Sequence, residues 1–105
     1  MGAFAGNNAA ACDGDTRKAA IDNLLAAGIA TVISAGNNGF LASVGAPGCI
    51  STAFTVGATD DSDAIAGFSN RGTLLDLFAP GVGNISSIVD DAFGSKDGTS
   101  MAAPH

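Results

Sequence analysis

Between Thr16 and Ala35 the chain runs an amphipathic helix directly into a buried strand, an order that narrows the folds open to it. From Thr16 to Ala27 the apolar residues Ala20, Ile21, Leu24 and Leu25 recur at helical spacing, with Arg17, Lys18 and Asp22 on the other side. Asp13-Gly14-Asp15 supplies a turn and an N-cap ahead of it, and Gly28 stops it. Ile29-Ala30-Thr31-Val32-Ile33-Ser34-Ala35 comes next, apolar at nearly every position and rich in β-branched residues, as a parallel strand covered on both faces should be. Helix then buried strand is half of a βαβ unit, so the fold class is α/β.

The flanking stretches add less. Residues 1–12 are rich in Gly, Ala and Asn without periodicity and are expected to form a loop. Gly36-Asn37-Asn38-Gly39 falls at the carboxyl edge of the strand, where open α/β sheets place their ligands, although Asn-Gly is also an ordinary turn signal. Residues 40–50 form a loop, and Ala53 to Ala58 is expected as a second short strand. Thr59-Asp60-Asp61-Ser62-Asp63 lacks the glycine and terminal glutamate of an EF-hand and is a solvated turn. Gly81-Val82-Gly83 lacks the third glycine and the strand-to-helix setting of a dinucleotide site. Asn84-Ile85-Ser86 is a glycosylation sequon, meaningful only in a secretory eukaryotic host, and Lys96-Asp97 is a solvated approach to the turn at Gly98.

Composition excludes several classes. At 105 residues and 47% hydrophobic the chain suits one small domain rather than a disordered tail, and no apolar run is long enough to span a membrane. Ten acidic residues, all Asp, stand against four Lys plus Arg for a net charge of −6, so no basic face is available for nucleic acid. The excess acid aids solubility, with calcium binding as a second use. Cys12 and Cys49 have no neighbours at zinc-ligand spacing; a disulfide is the favoured pairing and two buried thiols the alternative. No basic segment followed by an apolar one opens the chain, which is expected to be an internal piece cut at both ends.

The chemistry concentrates in Gly98-Thr99-Ser100-Met101-Ala102-Ala103-Pro104-His105. Gly98 lets the backbone turn, and a serine opening a helix has the unpaired N–H groups of the first turn aimed near its hydroxyl. An N-cap role for Thr99 or Ser100 is the plain alternative. These eight residues resemble the nucleophile motif of the subtilisin-like serine proteases, the subtilase family. Ser34-Ala35-Gly36-Asn37, Phe68-Ser69-Asn70-Arg71-Gly72 and Leu75-Asp76-Leu77-Phe78-Ala79-Pro80-Gly81-Val82 also resemble subtilase segments in the family's order, from about Asp13 to the end.

The resemblance implies a three-layer subtilisin-like α/β fold with a mostly parallel sheet, incomplete here, residues 1–105 being part of a peptidase catalytic domain. It implies a serine endopeptidase in which Ser100 attacks the scissile carbonyl, while Asn37 and the Ser100 N–H hold the oxyanion. Ser34, Ala35 and Gly36 would flank the pocket for the residue before the cut. Asp76 matches a family aspartate that ligates a weakly held cation with backbone carbonyls of the earlier loop; capping a turn is the alternative. No cofactor is required for the chemistry, and a structural calcium or monovalent cation is the one ion brought in. The partners implied are a protein or peptide substrate and the missing N-terminal part of the same domain, with no nucleic acid and no membrane. A Cys12–Cys49 bond would fit an oxidising, extracellular location.

The base is missing. The family's Asp and His motifs lie upstream, and His105, within the same short helix as Ser100, is expected to be structural. The isolated 105 residues are therefore expected to be nearly inert. A non-catalytic subtilase-like pseudoenzyme or α/β binding module is the competing reading, and the phosphate-cradling glycine loop of a nucleotide binder is not found.

Overall fold

The computed structural model describes residues 5–105. In chain order the elements are β1 (Ala5–Asn8), α1 (Lys18–Ala26), β2 (Val32–Ser34), β3 (Val44–Ala46), β4 (Phe54–Thr59), β5 (Leu77–Pro80), β6 (Asn84–Ile88), β7 (Ala92–Lys96) and α2 (Thr99–Ala102). β2, β4 and β5 form a parallel sheet in that order, with Ile33 opposite Thr55 and Ala58 opposite Ala79. β1 pairs antiparallel with β3, and β6 with β7 as a hairpin.

Successive residues of a strand face opposite sides of the sheet, and the core divides accordingly. On one side Ile33 packs with Ile21 of α1, Ile50 and Ala53. On the other, Val56 and Ala58 of β4 pack with Ala79 and with Ala102 of α2. Helix, parallel sheet and helix make the three layers of an α/β fold. A third cluster of Ala35, Val44 and Cys49 closes the carboxyl end of β2.

Several elements depart from the sequence-based boundaries. Part of the segment expected to be a loop, Ala5–Asn8, is a strand, because its backbone finds Val44–Ala46 as a partner, a pairing that no local periodicity signals; residues 1–4 lie outside the described residues. The helix spans Lys18–Ala26 rather than Thr16–Ala27. Its N-cap is Arg17 without a side-chain cap bond, and Asp15 acts earlier, accepting the Arg17 N–H at 2.9 Å and pairing with its guanidinium. Of the expected apolar face only Ile21 is buried; Leu24 and Leu25 are each 40% exposed. The strand expected over 29–35 is regular only from Val32 to Ser34, and Ile29 is 53% exposed, because β2 is an edge strand with no strand on its outer side among the described residues. The second strand runs Phe54–Thr59, one residue later than expected. The 60–63 turn is closed by Asp60 Oδ1, which accepts the N–H groups of Ser62 and Ala64.

Cys12 and Cys49 are joined as a disulfide across 37 residues of sequence, their Cα atoms 5.2 Å apart. The link ties the approach to α1 to the loop before β4, where Cys12 N–H also donates to Cys49 O. Closing a loop of that length restricts the unfolded chain. Replacing both cysteines by alanine in the intact domain is expected to cost about 2–4 kcal/mol in denaturant unfolding; an unchanged midpoint contradicts it.

Three carboxylates tie α1 and the turn before it in place, and each lies below the ordinary aspartate value of 3.8. Asp13 is lowered by the N–H and then the hydroxyl of Ser51, Asp15 to about 2 by the side chain and then the backbone N–H of Arg17, and Asp22 by the Thr52 hydroxyl and then Lys18. A carboxylate with a depressed folded pKa stabilises the fold above its unfolded value and loses that contribution as pH falls through the folded one. These ties are therefore expected to release below pH 3.8, Asp15 last at about 2. Carboxyl chemical shifts through an acid titration check this, and an Asp15 midpoint at or above 3.8 contradicts it.

Candidate active site

Ser100 is the second residue of α2, and Gly98 precedes the helix at φ 153° and ψ 157°, a backbone conformation that side chains rarely adopt. Gly98 occupies the N-cap position, so neither Thr99 nor Ser100 is the N-cap, and the helix start has no side-chain cap bond. Ser100 is exposed, whereas Thr99 is 1% exposed. Among the described residues the Ser100 N–H has no partner; the first turn is closed by Met101 and Ala102 N–H groups reaching Gly98 O.

Asn37 reaches the same place from the loop after β2. Its Oδ1 accepts both the Thr99 N–H at 2.9 Å and the Thr99 hydroxyl at 2.8 Å. A backbone N–H can only donate, so the amide end facing Thr99 must be the oxygen. Thr99 Oγ1 in turn accepts the Gly36 N–H at 3.1 Å, leaving its own proton for Asn37. The Asn37 Nδ2 group is consequently turned away from Thr99 with no partner among the described residues. It lies near Gly98, where an added Cβ would come within 3.3 Å of it.

Ser100 stands between two clefts. The first, about 600 Å³, is lined by Ser34, Gly36, Asn37, Asn38, Phe40 and Gly45 along with Thr99 and Ser100, and reaches Gly6 and Asn7. The second, about 590 Å³, runs past Asn84, Ile85 and Ser86 of β6 to Met101, Pro104 and His105. The residues lining the two clefts include no Asp, Glu, Lys or Arg. Of the three residues expected to flank a substrate pocket, Ser34 and Gly36 line the first cleft. Ala35 does not, because its methyl is fully buried with Val44 and Cys49 while its carbonyl accepts the Gly45 N–H.

The other sequence candidates lie apart from this site. Asp76 Oδ2 accepts the Thr55 N–H at 2.7 Å and Asp76 N–H donates to Thr55 O, so the side chain closes the entry to the β4–β5 ladder. Among the described residues no group of three or more His, Cys, Asp or Glu could hold a metal ion. His105 Nδ1 is 2.9 Å from Met101 O, and since a carbonyl only accepts, the proton of that bond is on Nδ1. Asn84 Nδ2 donates to Pro80 O at 3.1 Å at the foot of the hairpin. Two residues given no role in the site from sequence hold it together: Thr99, which orients Asn37, and Asn70, whose buried side chain lies under the 36–40 loop. A threonine before a serine reads as a cap, and no local pattern marks a buried asparagine.

The Subtilase family model matches residues 4–105. The chain belongs to the subtilase family. Over 88 residues it is 49% identical to a cuticle-degrading serine protease of Arthrobotrys oligospora, a match that covers 82% of this chain and 22% of that protein. It is 41% identical over 90 residues to alkaline elastase YaB of a Bacillus species, covering 86% of this chain and 24% of the relative. A cold-adapted subtilisin-like serine proteinase of known crystal structure superposes with a TM-score of 0.76 at 36% identity, over 84% of this chain and 32% of that one. This subtilase segment thus spans about a fifth to a quarter of its curated relatives.

Removing the Thr99 hydroxyl takes one of two donors from Asn37 Oδ1 and leaves Gly36 N–H without its acceptor. In the intact protein Thr99→Val is expected to loosen Asn37 and cost about 1–3 kcal/mol of stability, with Thr99→Ser near wild type. Denaturant unfolding checks it; equal loss in both variants contradicts it.

Proposed function

We propose that this chain carries the nucleophile and the oxyanion donors of a subtilisin-like serine endopeptidase. The observation that supports this most is the orientation of Asn37: its oxygen is tied to Thr99, and its N–H groups are left beside an exposed Ser100, neither they nor the Ser100 N–H having a partner among the described residues. Two preset donors near a hydroxyl suit an acyl-transfer site, where negative charge develops on the carbonyl oxygen.

In this reading a peptide lies across the two clefts, its residue before the cut entering the space bordered by Ser34 and Gly36. Ser100 Oγ attacks the carbonyl carbon and its proton passes to a base outside these 105 residues. Asn37 Nδ2 and the Ser100 N–H take the charge of the tetrahedral oxygen. Collapse expels the amine, which collects the proton, and water then hydrolyses the Ser100 ester by the same steps. We give His105 a structural role, its Nδ1 bonded to Met101 O just past the end of α2, and place the base outside these residues.

The rest of the catalytic domain is the first partner this reading requires. Leu24, Leu25, Ile29, Val32 and Phe54 are exposed along α1 and the open edge of the sheet, and we assign them to packing against it. Without that part the 105 residues should be nearly inert. Asp76 keeps one carboxylate oxygen outside its bond to Thr55, which fits a weakly held structural calcium or monovalent cation with backbone carbonyls and no role in the chemistry. The disulfide, the acidic surface and the uncharged clefts agree with an extracellular enzyme acting on proteins or peptides.

Labelling with a fluorophosphonate tests the function. The intact protein should label and Ser100→Ala should not, while the 105-residue chain alone should stay unlabelled. Asn37→Ala should retain labelling but lose turnover by about 10²–10³, a magnitude taken over from the measurement on the equivalent donor of subtilisin. A folded intact protein that does not label overturns the reading and leaves a non-catalytic subtilase-like binding module.

A further inference from the structure

We propose that Asn70 is a positioning residue for Asn37, holding from beneath the loop that presents the oxyanion donor; the inference rests on the acyl-transfer reading above. Asn70 is fully buried, and every hydrogen-bonding capacity of its amide is spent on residues 35–40. Its Nδ2 donates to Ala35 O at 3.1 Å and to Asn38 Oδ1 at 3.2 Å. Its Oδ1 accepts the N–H of Asn38 at 3.0 Å and of Phe40 at 3.0 Å. Its own backbone N–H donates to Gly36 O at 2.9 Å. The Asn38 and Phe40 N–H groups can only donate, so the Asn70 amide, like that of Asn37, has a single orientation.

The bonds bracket Asn37 without touching it. Gly36 and Asn38, its neighbours on each side, are both bound to Asn70, while Asn37 and Asn38 themselves are exposed and contribute no apolar anchor to the core. Gly36 sits at φ 104°, and an added Cβ there would come within 2.5 Å of Asn70 Nδ2, so the side chain is pressed directly against the backbone that leads into Asn37. Thr99 then holds the far end of the Asn37 side chain. The position of the free Nδ2 group is set by two anchors, Asn70 at the main chain and Thr99 at Oδ1. A donor displaced by about 1 Å from the developing charge costs on the order of 10²-fold in rate.

Asn70→Asp is nearly isosteric and tests this directly. It places an oxygen where Nδ2 now faces two acceptors, Ala35 O and Asn38 Oδ1, so the 36–40 loop must shift. In the intact protein, assayed on a peptide p-nitroanilide, kcat should fall about 10–100-fold with KM within about twofold. In an Asn37→Ala background the same substitution should lower kcat by less than about twofold, because the donor it positions is gone. A loss of thermal stability with unchanged kcat, or an undiminished kcat loss in the Asn37→Ala background, overturns the proposal. Should Asn70→Asp not fold, amide hydrogen exchange of the wild-type protein decides: the Asn38 and Phe40 N–H groups should exchange as slowly as those of β4 although Asn38 is exposed, and fast exchange overturns it. Hydrolysis that persists in Ser100→Ala overturns the functional reading instead, and the exchange measurement still judges Asn70.

Discussion

The Thr99 N–H has one chemical option, to donate, and the Asn37 amide is oriented by it. The bond joins segments 62 residues apart in sequence, the loop leaving β2 and the first residue of α2. Through Thr99 Oγ1 it extends to the Gly36 N–H, so strand end, loop and helix start share one buried threonine. The arrangement depends on the sheet beneath it. The carboxyl end of β2 delivers Gly36 and Asn37, while Gly81, just past β5, accepts the Gly98 N–H and sets the entry to α2.

Packing gives that junction its stiffness. Ala102 is fully buried against Val56, Ala58 and Ala79, so a helix of one turn is held by the sheet rather than by its own hydrogen bonds. Ser69 completes the underside: its hydroxyl accepts the Ala58 N–H at the end of β4 and donates to Asn70 O. Phe68, Ser69 and Asn70 therefore connect the sheet, the core beneath α2 and the 36–40 loop. Polar groups buried this deeply are stabilising only when all are paired, and here each is.

The opposite edge of the molecule is organised differently. β2 pairs with β4 on one side and has no strand on its other side among the described residues, and Leu24 and Leu25 of α1, which helical spacing placed inward, remain exposed. The disulfide, Asp13 ahead of α1 and Asp22 within it anchor this layer through Cys49, Ser51 and Thr52. A layer that is bonded covalently yet incompletely covered suits one portion of a larger domain.

Local chemistry was readable from the sequence, and long-range pairing was not. Helical spacing around Ile21, β-branching through Ile33 and the glycine before Thr99 identified α1, β2 and the turn into α2, because each is decided by residues within a few positions of one another. β1 and β3 left no periodic signal because their backbones are satisfied by each other across a long stretch of chain, and the β6–β7 hairpin left none because both of its strands are largely exposed and bury no apolar face. By itself the sequence determined the α/β class, the candidate nucleophile and the candidate oxyanion amide. Only the tertiary structure decided which end of that amide faces the cleft and which buried side chain supports its loop. An amide can turn either end outward, and the choice belongs to donors at Thr99, Asn38 and Phe40 that meet their acceptors only after the strands have come together.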